Sequence, residues 1–437
     1  MPKPFPHQIE GAKFLARSQG ALLADEPRVG KTGAAIMACD MVFAKHILVV
    51  TTASGRANWR REFQEWGFAR TTAAVYAKAD RPDTQVVIVS WSMITDPGLL
   101  EHLCRRGWDV LIVDESHYGK TPDAKRTAAV FEALAPKINT VWCLSGTPAA
   151  NGPHELFTTL AACAPERLEE GSDWPACKTY DRWVDRYCRV QHRKYGNQWV
   201  PVVKGGKNLD ELKERLRGFA LRRTQQDAGI REPIYSLYSL SADAAALTAI
   251  RNAVADIGLS AEEVLAAAET GETAGLELHL GVLRRITGTI KAYAVVEALR
   301  EELSNGLDRI VLMSWHADVL AALEEGLRSF GVVTVSGETP AKKREAAIAD
   351  FQGGKARVFN GQMQAAGEAI DLSVSANLMF VEGSFNPKDL KQAALRITNH
   401  SQTRQCFVRV CVLDGSIDEA LGRVVLAKVA TNRKLQE

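Results

Sequence analysis

An apolar run, Ala21-Leu22-Leu23-Ala24, leads within a few residues into Gly30-Lys31-Thr32, and a second, Val110-Leu111-Ile112-Val113, ends on Asp114-Glu115. That pairing constrains the chain more than any other feature, because it supplies two halves of one nucleotide site. Triphosphate oxygens need backbone N–H groups and a lysine; a hydroxyl and a carboxylate hold Mg²⁺, and a second carboxylate polarises the attacking water. Here Gly30 lets the backbone approach the phosphates, Lys31 reaches the β and γ oxygens, Thr32 and Asp114 hold the metal, and Glu115 is the candidate base. The usual G-x-x-x-x-G-K-[ST] string is incomplete, since Asp25 stands where its first glycine belongs. A helix-like run, Thr32 to Ala44, follows the loop, and the combination predicts ATP and Mg²⁺ as cofactors.

Composition narrows the class. A chain of 437 residues with 46% hydrophobic content has room for two or three domains with sizeable cores. Met1-Pro2-Lys3-Pro4 leads into polar sequence rather than a signal peptide, and no apolar run spans a bilayer, so a cytoplasmic protein is expected. The eight cysteines are dispersed, with no C-x-x-C knuckle for zinc or a redox dithiol, and are read as buried thiols.

The net charge of +2 is unevenly spread: Lys178 to Arg231 holds fourteen Lys and Arg against six Asp and Glu. This local excess of +8 leaves −6 elsewhere and points to a polyanion partner. Tyr187, Arg189, Arg193, Lys194, Tyr195 and Trp199 interleave aromatic and basic side chains, as nucleic-acid surfaces do.

Strand, turn and helix alternate twice over. Short β-rich runs at 47–51, 86–91, 110–114 and 141–144 are separated by helix-like stretches such as Arg56 to Trp66. A second series follows at 309–315, 332–335, 357–360, 377–382 and 406–413. The expected fold is α/β, with two parallel-sheet lobes at 1–220 and 221–437. Residues 150–225 and 241–305 read as mostly helical insertions without strand periodicity.

The order of motifs resembles helicase superfamily 2, and within it the Swi/Snf-type DNA translocases, particularly their small annealing-helicase relatives. Pro6-His7-Gln8 with Gly11 is similar to the adenine-reading Q motif, and Leu23 to Thr32 to the family's first motif. Asn58-Trp59 with Glu62 and Trp66 resembles the segment after motif Ia, and Val110 to His117 stands for DEAH, followed by a Lys120 to Arg126 stretch of family type. Ser145-Gly146-Thr147-Pro148 matches motif III, and Leu221-Arg222-Arg223-Thr224 the lead-in to the second lobe. Arg344 to Phe351, Gly367 to Leu372, Asn386-Pro387 and Gln392 to Gln402 fall where second-lobe motifs belong.

The resemblance implies two RecA-like lobes with ATP between them and duplex DNA, read without sequence specificity, on their other side. It implies nucleotide contacts from His7, Gln8, Arg28, Gly30, Lys31, Thr32 and Gly367, with Arg396 reaching the γ-phosphate. His117, Ser145 and Thr147 become coupling residues, and Thr52, Trp91, Arg222 and Arg223 nucleic-acid contacts, to which the basic stretch adds Arg193 and Lys194. A targeting or activating protein partner and a phage or bacterial source fit so stripped a motor core.

Departures from the family pattern accompany the matches. Arg28 stands at a usual glycine of the first loop, Ala369 at a motif V glycine, and Asp371 at a usual asparagine. The family's last motif carries two arginines three residues apart; here the first is Arg396 and the second is Asn399. An arginine finger is worth roughly 10³ to 10⁵ in rate, so this one position decides much. Three readings follow: a duplex translocase, a strand-separating helicase whose wedge hairpin is not legible, and an ATP-binding clamp that hydrolyses weakly.

Overall fold

The computed structural model describes residues 2–149, 152–195, 198–256, 262, 265, 277–363, 370–384 and 387–434. Gly367, Ala369 and Asn386 lie outside the described residues. The chain forms two compact units, Met1–Ala228 and Gly229–Glu437.

The first lobe is built on β1 (Gly20–Leu23), β2 (Ile47–Thr51), β3 (Thr72–Ala74), β4 (Val86–Ser90), β5 (Val110–Asp114) and β6 (Val141–Leu144). Val, Ile and Leu fill β2, β4 and β5 and are buried on both faces, the pattern of parallel strands with helices on either side. Their alternation feeds two cores: Leu48, Val50, Leu111 and Val113 enter one, and Ile47, Val49, Val110 and Ile112 the other. Helices α1 (Pro6–Ala16), α2 (Lys31–Met41) and α3 (Gly55–Glu65) contribute Leu15, Ile36, Trp59 and Phe63 to the second core.

The stretch expected to be mostly helical departs from that expectation. Residues 150–225 hold an antiparallel hairpin, β7 (Cys188–Tyr195) and β8 (Gln198–Gly206), with Arg193 opposite Val200 and His192 opposite Pro201. Its first strand reads CRVQHRKY, with too few apolar residues for alternation to stand out, and its second carries a proline, which only an edge strand tolerates. Four of the fourteen basic residues of the Lys178–Arg231 stretch, Arg189, Arg193, Lys194 and Lys204, are therefore carried on a hairpin. Residues 241–305 do form helices, Ala244–Asp256 and Glu277–Ser304, among the described residues.

After the hairpin comes β9 (Ala220–Leu221), parallel to β1 with Leu22 opposite Ala220 and Leu23 opposite Leu221. It completes a seven-stranded sheet of order β3-β4-β2-β5-β6-β1-β9. The Leu221–Thr224 segment thus belongs to the first lobe, and the division falls at Ala228 rather than 220.

The second lobe has β10 (Ile234–Leu240), β11 (Ile310–Ser314), β12 (Val332–Val335), β13 (Val358–Gln362), β14 (Asn377–Phe380) and β15 (Phe407–Leu413), ordered β10-β15-β14-β11-β13-β12. Every pairing in it is parallel. Both lobes are RecA-like in this sense: a parallel sheet wrapped by helices. No helix among the described residues is long and apolar enough to cross a membrane, and the eight cysteines are free thiols, six of them buried.

Candidate active site

Strand register brings the motifs of the first lobe together. Leu144 lies opposite both Leu23 and Asp114, so β1, β5 and β6 end level with one another. The glycine loop, the Asp114-Glu115 pair and Ser145 therefore leave the sheet at its carboxyl end, where open α/β sheets bind ligands.

The loop is folded as a phosphate cradle. Gly30 has φ 94° and is the N-cap of α2, and a Cβ there would overlap the Gln8 amide. Arg28 also takes a left-handed conformation, φ 72°, which costs a non-glycine residue about 1–2 kcal/mol. The residue has changed from the family's glycine, but the backbone has kept glycine's geometry. Lys31 Nζ donates to the carbonyls of Asp25 (2.7 Å) and Glu26 (3.2 Å), which tethers the ammonium to the loop.

His7 and Gln8, expected at the adenine, are placed on the loop backbone. His7 Nε2 lies 2.9 Å from Val29 O, while buried Gln8 accepts from Phe5 N (2.9 Å) and donates to Gly30 O (3.4 Å). Burial pushes the His7 pKa down.

Asp25 explains itself through Arg223. The guanidinium donates to both Asp25 oxygens, at 3.0 and 2.5 Å, and also to the carbonyl of His7. Both partners are largely buried, and a charge-paired fork of this kind compensates for the water that the two charges lose. Next to it, Gln225 N donates to Glu26 Oε2 at 3.0 Å and Gln225 Nε2 to Pro27 O at 2.8 Å. Arg223 is thus a strut of the nucleotide loop and not an open nucleic-acid contact, a correction that follows from its burial. Arg222, with its side chain 51% exposed and 3.7 Å from Glu26, keeps its charge at the surface.

Asp114 Oδ2 accepts from Thr51 Oγ1 (2.7 Å) and Trp59 Nε1 (2.8 Å). Burial and the neighbouring Glu115 push its pKa up. Sequence reading missed Thr51 and Trp59 as orienting groups; the available signal was Thr51 at the end of β2, whose Val50 is level with Val113. For Mg²⁺, Thr32 offers one hydroxyl and Asp114 one carboxylate, and a hard cation's remaining oxygens would come from phosphate and water. The donor set fits that ion.

Trp91, expected at the nucleic acid, is 4% exposed; its Nε1 donates to Asp114 O at 3.0 Å and its ring packs on Tyr118 and Phe131. It is a core residue. Thr52 is also buried, and its Oγ1 accepts from Gly55 N at 3.1 Å, capping the start of α3. The backbones of Arg193 and Lys194 lie in β7, and their side chains are outside the described structure.

The expected coupling residues do meet. His117 Nδ1 is 3.0 Å from Ser145 Oγ and 3.3 Å from Glu115 Oε2, and Ser145 Oγ accepts from Thr147 N at 3.2 Å. Burial, reinforced by the Lys120 ammonium, pushes the His117 pKa down and favours the neutral ring. A Cβ on Gly146 would lie 2.9 Å from Pro27, so motif III packs on the glycine loop itself.

In the second lobe Arg396 follows the helix Pro387–Ala394, and its carbonyl accepts from Leu372 N at 3.0 Å. Asn399 bridges its own turn and the segment at Ser373: Nδ2 donates to Ser373 Oγ (2.5 Å), and Oδ1 accepts from Ser401 N (2.8 Å) and Gln402 N (2.9 Å). Asp371 joins the same turn through Ser373 N. The two arginines further along are engaged within the second lobe: Arg404 donates to Val374 O and Arg409 is paired with Glu302 at 2.6 Å.

The chain is similar over nearly its whole length to known proteins. The mouse DNA annealing helicase and endonuclease ZRANB3 is 26% identical over 455 residues, covering 99% of this chain and 40% of the relative. The SWI/SNF-related matrix-associated actin-dependent regulator of chromatin subfamily A-like protein 1 of Xenopus tropicalis is 27% identical, covering 97% of this chain and 44% of the relative. The chain thus spans well under half the length of these relatives. Among solved structures, the Sulfolobus solfataricus SWI2/SNF2 ATPase core in complex with dsDNA matches at 20% identity and a TM-score of 0.46, covering 96% of this chain and 89% of that one. A helicase conserved C-terminal domain matches residues 294–400. The SNF2-related domain matches residues 7–234, more than half of the chain, and the protein belongs to that family.

Proposed function

We propose that this chain is a nucleic-acid-dependent ATPase that couples hydrolysis to movement on, or remodelling of, duplex DNA. The observation that carries the reading is the His117–Ser145 contact, which joins the Asp114-Glu115 pair to the motif III loop packed on the nucleotide cradle. A site that only stored nucleotide would have no need of that link.

In this reading Gly30, Lys31 and the first turn of α2 receive the phosphates, and Lys31 exchanges two loop carbonyls for phosphate oxygens. Thr32 and Asp114 would hold Mg²⁺, which neutralises charge on the transferring phosphoryl group. Glu115, with its side chain 40% exposed, is positioned to accept a water proton, and neutral His117 reports the state of that carboxylate to Ser145. The hairpin and Arg222 present positive charge to DNA phosphates, without sequence readout.

A second reading, a clamp that binds ATP and turns it over slowly, is favoured by Asn399, which supplies no charge. A protein partner contributing an arginine belongs to that reading. The deciding experiment is steady-state ATP hydrolysis with no nucleic acid, duplex DNA, single-stranded DNA or RNA, with Lys31→Ala as the blank. Stimulation by duplex above the blank is expected. Tight ATP binding with no turnover on any substrate would replace the motor with the clamp.

A further inference from the structure

The hairpin does not hang from the lobe by its strands alone. Arg215 is fully buried at its base, stacked against Trp174, Trp183 and Tyr187 at 5.3–5.8 Å, and donates to the carbonyls of Arg167 and Pro175. Tyr187 OH donates to Glu211 at 2.7 Å, and Lys207 N to Tyr187 O at 2.8 Å. The root is a rigid block of aromatic rings held around one cation.

That root also rests on a short turn at 152–154. The Trp183 indole donates to Pro153 O at 2.9 Å, and the Cys188 thiol bonds to the His154 backbone. A Cβ on Gly206 would lie 3.2 Å from Pro153, and one on Gly152 would lie 3.4 Å from Val203. Both strands of the hairpin therefore press on residues 152–154. The next residue is Glu155, 3% exposed, and its carboxylate accepts from Lys120 Nζ at 2.6 Å. Lys120 directly follows the 3-10 turn Ser116–Gly119 that carries His117.

We propose that Glu155 and Lys120 form a positioning pair that transmits occupancy of the β7–β8 hairpin by duplex DNA to His117 and hence to the catalytic carboxylate. The inference rests on the reading of the chain as a duplex-stimulated ATPase. A buried carboxylate holds its partner in one place, because moving the two apart leaves an uncompensated charge away from water. A shift of the hairpin root moves the 152–155 turn, Glu155 carries Lys120 with it, and the turn bearing His117 follows. Bonded to Glu155 and next to the turn that bears His117, Lys120 acts by placing the residue that does the coupling.

The test uses the full chain with Glu155→Gln, Lys120→Met, the two combined, and Lys120→Arg, measuring kcat and KM for ATP with and without saturating duplex. Each single loss of charge should lower the ratio of duplex-stimulated to DNA-free kcat by about tenfold, with KM within about twofold. The combined variant should lose no more than either single one, since both cut the same link. Lys120→Arg, which keeps the cation, should retain the ratio within about threefold. An unchanged ratio in both single variants, losses that multiply, or a fall with Lys120→Arg equal to that with Lys120→Met would overturn the pair. If Glu155→Gln does not fold, Glu155→Asp takes its place: an intermediate loss is expected, and none at all refutes the link. Wild-type protein unmoved by duplex would instead remove the functional reading beneath it, which the variants alone do not reach.

Discussion

The nucleotide loop of the first lobe and the arginine loop of the second both depart from their family pattern, and each absorbs the departure differently. In the first, Asp25 and Arg28 replace glycines, yet the cradle survives: Asp25 is bound by Arg223 and Arg28 adopts the left-handed backbone a glycine would have used. In the second, Asn399 ties its own turn, through Ser401 and Gln402, to the separate segment that carries Ser373. The first change is accommodated so that the loop keeps its backbone geometry, and the second through bonds that hold two segments of the second lobe together. Hydrogen bonds can rebuild a shape around a new side chain, but no arrangement of neutral groups rebuilds a missing charge.

Three substitutions break or sharpen that contrast. Arg223→Met removes the strut and strands the Asp25 carboxylate in a buried site, so the first lobe should lose about 3 kcal/mol, the lower end for a broken buried pair. Chemical denaturation reads this; an unchanged midpoint would mean that the compensation is decorative. Asn399→Arg adds the second cation to the other lobe, and kcat with duplex should rise about tenfold, well short of a full arginine finger because the turn loses its asparagine bonds. No rise in turnover, with the fold intact, would show that hydrolysis here is limited elsewhere. Arg28→Gly is the smallest change: relief of one left-handed non-glycine residue should stabilise the first lobe by about 1 kcal/mol, visible as a higher melting temperature. A loss of stability instead would show that the arginine side chain holds the loop through contacts worth more than the strain.

Legibility from sequence followed the same division. Strand runs such as Ile47–Thr51 and Val110–Asp114 stood out because strands buried on both faces are continuous apolar segments. The hairpin did not, because a strand as rich in basic and polar residues as CRVQHRKY has no such run, and its pairing is set by register rather than composition. Lys31, Asp114, Glu115, His117 and Ser145 were found as motif residues. Arg223 and Trp91 were placed on the wrong side of the surface, since a motif says that a residue matters without saying whether it faces ligand or core. Thr51, Trp59, Lys120 and Glu155 act as partners over long sequence separations, from 35 residues for Lys120–Glu155 to 63 for Thr51–Asp114.

By itself the amino-acid sequence determined the α/β class, the two-lobe alternation, the nucleotide loop and its carboxylates, because local apolar runs and a phosphate cradle are written in contiguous residues. Only the tertiary structure decided that Arg223 holds Asp25, that Asn399 is bonded to Ser373, and that the root of the basic hairpin is bonded to Pro153, two residues before Glu155. Each of these depends on which side chains the folded backbone brings within hydrogen-bonding distance, and that is fixed by strand register and loop path, not by neighbours along the chain.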